Sequence, residues 1–189
     1  MAAEETDLFK PSSGSELRDE IATLRMRTFN RVSATAPGDF LMTLMGYEVS
    51  NDSEAPADQE DGNDQEPRQD GKSRQIHLLV FVSVRPTVFG VRAGLRVEDT
   101  KHLIAADSAV EYSWKRPVEY NPTVVREFLT IEAVPRLITY VWTVINELAQ
   151  TQGFNVQYHP LRMPESDVVE MVMKQFEAGR ESGSYAMPN

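Results

Sequence analysis

The side chains that most often carry catalysis or bind metals are few and scattered in this sequence. It contains no cysteine, and its three histidines, His77, His102 and His159, are isolated from one another. Structural zinc sites draw on Cys and His ligands at short, characteristic spacings, so no metal site is expected. Each histidine is interpreted as an ordinary surface or strand residue.

Phosphate-binding and nucleophile motifs are not found either. The stretch from Gly90 to Gly94 lacks the Lys and the Ser or Thr of a P-loop, and no G-x-S-x-G sequence occurs. The acidic pair Glu60-Asp61 lies in a polar segment that offers no scaffold to hold two carboxylates in catalytic geometry. The sequence therefore predicts a protein that is not an enzyme and that needs no cofactor.

Length and charge restrict the possible partners. The 189 residues suffice for one domain with a core, and the formal net charge of -10 disfavours binding to nucleic acid or to anionic membrane surfaces. No run approaches the roughly 18 apolar residues of a membrane helix, and the first ten residues lack the apolar stretch of a signal peptide. We therefore expect a cytoplasmic protein without membrane insertion.

The sequence predicts one domain between two mobile tails. Residues 1–15 and 179–189 are small and polar, and the domain spans 16–178. Within it, residues 50–74 contain no large hydrophobic side chain and eight acidic ones between Asp52 and Asp70. Such a segment cannot bury enough surface to offset its ordering entropy, so we expect a disordered acidic loop. Three roles stay open for it: a solubilising spacer, a shield for a binding surface, or a site for a basic partner.

Hydrophobic periodicity predicts strands followed by helices, which is typical of an α+β fold. Four runs have the alternation of an antiparallel sheet: Leu24–Ser33, Asp39–Val49, Ile76–Phe89 and Ala106–Trp114. Residues Gly90 to His102 form either a turn or a further strand segment. A helical pattern then spans Thr123–Gln152 with an interruption at Pro135, and a last helix begins near Pro164.

Two of the predicted strands are apolar on both faces. In the run from Ile76 to Val84, Leu79 and Phe81 lie on the face opposite the Val residues. A sheet that packs on one side only should be polar on the other. The second face is therefore covered by helices, by another subunit or by a bound polypeptide, and ordinary core packing is the simplest of these interpretations.

The stretch from Glu132 to Leu148, followed by Gly153-Phe154 and an extended segment to Leu161, resembles the signature of the SecB chaperone family. The strand Ala106–Trp114 is similar to the family's strand before the long helix. Residues 15–37 resemble the first strand of the divergent SecB-like proteins associated with toxin–antitoxin operons. The resemblance covers roughly residues 16–176 without the acidic loop, and the strands match by pattern more than by identity. The long acidic loop and the absence of a basic C-terminal tail depart from the typical export chaperone.

The resemblance implies a SecB-like four-stranded antiparallel sheet followed by a long helix and a shorter C-terminal helix. It also implies a homotetramer, a dimer of dimers in which the long helix packs between dimers, and a groove between sheet and final helix that holds unfolded clients. The expected client-binding residues are Phe40, Leu41, Met42, Leu44, Met45, Tyr47, Phe81 and Phe89. The expected oligomer-interface residues are Leu137, Val141, Val144, Ile145 and Leu148.

The function implied by the resemblance is that of an ATP-independent holdase, which binds unfolded or nascent polypeptides. Its partners would include export clients with the SecA motor, or a single cognate antitoxin. The alternative is an α+β module that binds a ligand or a partner without chaperone activity. Such a module would expose little apolar surface, so the exposure of apolar side chains separates the two hypotheses.

Overall fold

In this computed structural model, the residues described are 8–34, 75–98, 103–151 and 164–183. The strands are β1 (Ile21–Ala34), β2 (Gln75–Arg85), β3 (Val88–Glu98) and β4 (Leu103–Trp114). The helices are α1 (Gly14–Asp19), α2 (Pro122–Phe128), α3 (Val134–Thr151) and α4 (Glu165–Glu181), with a π-helical turn (Leu129–Ala133) between α2 and α3.

The four strands form one antiparallel sheet in the order β1-β4-β3-β2. The predicted fold class is confirmed: a four-stranded antiparallel sheet, then a long helix, then a shorter C-terminal helix. One strand prediction was wrong. The run predicted as one strand from Ile76 to Phe89 is a hairpin, because Pro86 and Thr87 form a turn, and the next residues continue the apolar pattern in β3. The predicted strand Asp39–Val49 and the predicted acidic loop lie outside the described residues.

An irregularity in the pairing of β1 with β4 decides which way the β1 side chains face. The register shifts between Thr28 and Asn30, as at a β-bulge. Before the shift, Met26 lies opposite the buried Val110, and after it Arg31 lies opposite the buried Ala106. Residues directly opposite each other in a sheet share a face. Met26 and Arg31 therefore lie on the same face, although their spacing is odd.

Residues 122–151 form one continuous helix, where the sequence predicted an interruption at Pro135. The irregularity lies just before the proline: the N–H of Val134 donates to the carbonyl of Leu129, five residues earlier. Proline has no N–H to offer to the carbonyl of Ile131, so the α-helical pattern cannot be maintained there. The wider π-helical turn absorbs this defect without breaking the helix.

The long helix packs on the sheet through Phe128. This side chain is fully buried, and its ring lies 5.8 Å from that of Phe89, 5.0 Å from that of Tyr112 and 5.5 Å from that of Trp114. All three pairs have the tilted, edge-to-face arrangement that aromatic rings favour. The cluster fixes the start of the helix over β3 and β4.

The apolar stripe of α3 faces the chain's own sheet. Of the residues expected at an oligomer interface, Leu137, Val141, Val144 and Ile145 are at most 1% exposed, and Leu148 is partly buried against the same core. The helical spacing correctly marked a buried face, but that face is buried within one chain. These five side chains are therefore core residues in the structure, and the outward face of α3 is polar.

The helix Pro122–Thr151 corrects the expectation that no segment is long and apolar enough to cross a membrane. Its 30 residues include an 18-residue window of mean hydropathy 1.4, enough in length and composition to cross a membrane. More than half of that window is buried inside the protein. The apolar composition is explained by packing on the sheet, as in the core helix of a globular domain.

Residues 8–20, just before β1, are anchored to the domain, although the sequence predicts a mobile tail over residues 1–15. Phe9 pairs with Val118 through the backbone, and its ring lies 3.7 Å below the guanidinium of Arg116. Ser13 caps α1 by accepting a hydrogen bond from the N–H of Glu16. The N–H and hydroxyl of Ser12 donate to the Glu16 carboxylate, which lowers the pKa of that group.

The start of α1 lies so close to α2 that only glycine fits there. The N–H of Gly14 donates to Oε2 of Glu127 at 2.8 Å. A Cβ atom at position 14 would lie 2.6 Å from the main-chain nitrogen of Phe128, which cannot move without shifting the helix.

We therefore expect Gly14→Ala to lower the free energy of unfolding by about 2 kcal/mol, the usual cost of overpacking a core. Gly90→Ala is the matched control, since a Cβ there would have its nearest neighbours at 3.9 Å. Urea unfolding of both variants measures the difference. Equal stabilities would show that α1 does not pack against α2 as closely as described.

Candidate functional site

The two faces of the sheet differ in what covers them. The helix face carries the buried side chains of β2, β3 and β4, and α3 and α4 pack against it. The opposite, outer face is buried at one end, around Leu103 and Ala105. Further along the strands, three large hydrophobic side chains on the outer face are exposed: Phe29 at 50%, Leu79 at 42% and Phe81 at 48%. We call these three residues the outer-face patch.

Arg92 joins the aromatic members of the outer-face patch. Its guanidinium lies 4.5 Å from the ring centroid of Phe29 on one side and 5.9 Å from that of Phe81 on the other. Its Nε donates to Asp107 at 2.7 Å, and a second hydrogen bond makes the pair bidentate. Asp107 is 2% exposed, so a buried carboxylate holds the cation in place between the two rings.

The expected client-binding residues are not brought together by the structure. Phe81 is exposed on the outer face, whereas Phe89 is fully buried on the helix face in contact with Phe128. The register explains the separation, because Phe81 lies opposite Arg92 and Phe89 lies opposite the buried Val84. Phe89 is therefore a core residue. The other six, Phe40, Leu41, Met42, Leu44, Met45 and Tyr47, lie outside the described residues.

The expected client-binding residues omit two members of the outer-face patch. The period of two in β2 does place Leu79 on the face opposite the core valines, as the sequence predicts. Phe29 was not predictable in this way, since the bulge between Thr28 and Asn30 sets the direction of its side chain. A residue beside a bulge cannot be assigned to a face by counting alone.

A second feature is an open groove between β1 and α3. It has a volume of about 390 Å³ and is lined by Met26 of β1 and by residues of α3. The lining residues of α3 are Pro135, Arg136, Thr139, Tyr140 and Thr143. Met26 is half exposed and forms the apolar wall on the strand side. One end of the groove is fixed by the hydroxyl of Thr28, which is hydrogen-bonded to those of Ser108 and Tyr140.

The charges beside the groove are balanced. Arg136 donates to Glu132, one helical turn earlier, and this hydrogen bond raises the pKa of Arg136. The pKa of Tyr112, whose ring is buried nearby, is also raised, first by burial and then by the Glu132 carboxylate. Both groups are therefore protonated at neutral pH. The groove presents an ion pair beside apolar surface.

The chain is similar to chains of solved structures. One of them is the Mycobacterium tuberculosis Rv1957 SecB-like chaperone in complex with a ChAD peptide from the Rv1956 HigA1 antitoxin. The TM-score is 0.45 at 12% sequence identity, and the alignment covers 78% of this chain and 92% of that chain. No protein-family model matches the chain, and neither does any curated protein. At this identity and TM-score, the similarity does not establish a function, a partner or an assembly.

Metal binding finds no support in the described parts of the chain. Among residues 8–34, 75–98, 103–151 and 164–183, no three His, Cys, Asp or Glu side chains lie close enough to share an ion. His77 is exposed on β2, and His102 and His159 lie outside these ranges.

The geometry around Asp107 predicts an asymmetry between two substitutions. Arg92→Ala leaves a buried carboxylate without its bidentate partner, which we expect to cost about 3 kcal/mol of unfolding free energy. Asp107→Ala leaves a cation that is 44% exposed and can be hydrated, so its cost should be about 1 kcal/mol. Urea unfolding of the two variants, with the double variant to obtain the coupling, measures the asymmetry. Equal losses would contradict the burial of Asp107.

Proposed function

We propose that this protein is an ATP-independent holdase that binds segments of non-native polypeptide on the outer face of its sheet. The observation that carries the proposal is the outer-face patch, in which all three large hydrophobic side chains are about half exposed. Leu79 and Phe81 lie on β2, Phe29 lies on β1, and Arg92 stands between the two rings. A group of exposed apolar side chains on a domain with a complete core is typical of an interaction surface. It favours the holdase over the alternative of a module with little exposed apolar surface.

The composition of the patch suits partners of varied sequence. Two aromatic rings and a leucine offer apolar area worth roughly 25 cal/mol per Å² buried. Arg92, flanked by the rings, adds a planar cation that can donate hydrogen bonds to main-chain carbonyls or stack on aromatic side chains. Each contact is weak, and an unfolded chain gains affinity by making several at once. The net charge of -10 helps to keep such a complex in solution.

Several finer parts of the proposal come from the sequence analysis and stay predictions. They are a cytoplasmic location, the absence of catalysis, and a homotetramer built as a dimer of dimers. They also include the choice between export clients with SecA and one cognate antitoxin. Because the apolar stripe of α3 is buried within the chain, an interface at this helix would use its polar outward side chains, such as Thr139, Thr143 and Glu147. Sedimentation of the purified protein tests the assembly.

The holdase activity predicts suppression of aggregation without nucleotide. We expect the purified protein to prevent aggregation of a chemically unfolded, unrelated polypeptide near stoichiometric ratios. Phe81→Gln should weaken the apparent affinity about fivefold, since it removes a half-exposed aromatic ring from the contact. Light scattering at increasing chaperone concentrations measures the effect.

Ile131→Gln is the matched control, because Ile131 is exposed to a similar degree but lies on the π-helical turn. It should suppress aggregation as well as the wild-type protein. Equal losses in both variants would show that the outer-face patch has no special role. No suppression by the wild-type protein would reject the general holdase and direct the search to a single cognate partner.

A further inference from the structure

The aromatic members of the outer-face patch and Arg92 form a line that runs across the strands. Phe81 on β2 lies opposite Arg92 on β3, and Phe29 approaches Arg92 from the side of β1. The residue of β4 opposite Arg92 is Ala109, whose small side chain leaves room for the Phe29 ring. We call Phe81, Arg92 and Phe29 the cross-strand row.

The cross-strand row fixes the distance between its two rings. The guanidinium carbon of Arg92 lies 5.9 Å from the centroid of the Phe81 ring and 4.5 Å from that of the Phe29 ring, so the two centroids are at most about 10 Å apart. Because the rings come from opposite sides of β3, their separation is near this upper limit. Two hydrogen bonds to the buried carboxylate of Asp107 keep the guanidinium in its place.

The two central strands beneath the cross-strand row offer no main-chain groups to a bound segment. Strands β3 and β4 each pair with a strand on both sides, so their N–H and C=O groups are used within the sheet. A segment in β conformation on this face would therefore have no strand to pair with. A segment in polyproline II conformation needs none, because its main chain has no internal hydrogen bonds and stays hydrated.

The spacing of the rings also fits polyproline II. That helix has three residues per turn and a rise of about 3.1 Å per residue, so residues three apart lie on the same edge at a distance of about 9 Å. In a β-strand, side chains on one face are about 7 Å apart at a spacing of two residues and about 13 Å apart at a spacing of four. The separation in the cross-strand row is closest to the polyproline II value.

The exposed area of the outer-face patch suits a short segment better than a folded partner. Two rings and a leucine, each about half exposed, offer roughly 300 Å² of accessible surface. A stable interface between folded proteins, including one with a second copy of this chain, buries about 800 Å² on each partner. The comparison favours an extended segment as the occupant.

We propose that the cross-strand row binds a polypeptide segment in polyproline II conformation, in which two apolar side chains lie three residues apart. One of them packs on the ring of Phe81 and the other on the ring of Phe29. Polyproline II is a major conformer of unfolded chains, so the row selects segments that have not folded. The inference rests on the proposed function in taking non-native polypeptide as the partner, and it adds the conformation and the spacing that are recognised.

Fluorescence anisotropy of the full-length protein with labelled synthetic peptides tests the spacing. A proline peptide with two Leu residues three apart should bind at least about fivefold more tightly than one of the same composition with the Leu residues two apart, because only the first pair shares an edge. A third peptide keeps the spacing of three in a Gly-Ser host. It should bind about threefold more weakly than the first, since its chain must be ordered on binding.

Substitution of either ring tests whether the row is the site. Phe29→Gln and Phe81→Gln should each abolish the difference between the two proline peptides, because a single ring cannot distinguish one spacing from another. Ile131→Gln is the matched control, since Ile131 is exposed to a similar degree on the π-helical turn, and it should keep the difference. Circular dichroism verifies that the variants fold.

Photocrosslinking gives the spacing directly. Benzoyl-phenylalanine at position 29 and at position 81 should mark residues of the bound peptide that are three apart. Marked residues two or four apart would indicate a β-strand and overturn the proposal.

The affinities can overturn it independently. Equal binding of the two proline peptides, or binding of the Gly-Ser peptide as tightly as the first, would reject recognition of polyproline II. The proposed function is judged separately by the suppression of aggregation. Suppression combined with equal peptide affinities would retain the holdase without this selectivity, whereas spacing-selective binding without suppression would reject the general holdase and retain the cross-strand row as a peptide site.

Discussion

The packing of Phe128 against Phe89, Tyr112 and Trp114 is the interaction on which the rest of the structure depends. These rings fix the start of the 30-residue helix over the two central strands, and the helix then buries a single face of the sheet. A four-stranded sheet has two faces, and only one of them is used to bind α3 and α4. The other face is buried around Leu103 and Ala105, and further along the strands it exposes Phe29, Leu79 and Phe81, which is why we propose the binding surface there.

Polar contacts hold side chains in place at the outer-face patch and at the groove beside Met26. On the outer face, the buried carboxylate of Asp107 holds Arg92 between two rings, so the surface is preorganised and not merely apolar. Beside the groove next to Met26, the hydroxyl of Thr28 is hydrogen-bonded to those of Ser108 and Tyr140, and these bonds link β1, β4 and α3. Both surfaces include residues of β1 next to its bulge. The same register shift therefore shapes the outer-face patch and the edge of the sheet.

The order of elements and the fold class were predictable from the sequence, because apolar side chains repeat every two residues in its strands and about every 3.6 residues in its helices. The hairpin was missed because Val84, Val88 and Phe89 continue an apolar pattern through the turn. The site was predicted less well, because Phe81 and Phe89 look alike in sequence and differ only in the face to which pairing assigns them. Leu137 and its neighbours were expected at an oligomer interface and are buried within the chain, and periodicity cannot tell burial within a chain from burial between chains. The direction of the Phe29 side chain depends on the bulge in β1, and no pattern in the neighbouring residues predicts that bulge.

The central claim is that non-native polypeptides bind at the outer-face patch. The most direct measurement replaces Phe81 with a photoreactive benzoyl-phenylalanine, adds an unfolded polypeptide, and identifies crosslinked products by mass spectrometry. The same residue introduced in place of Ile131 provides the comparison at equal reactivity and similar exposure. The account predicts efficient crosslinking of the polypeptide from position 81 and little from position 131. Equal crosslinking from both positions, or crosslinking from position 131 alone, would contradict it.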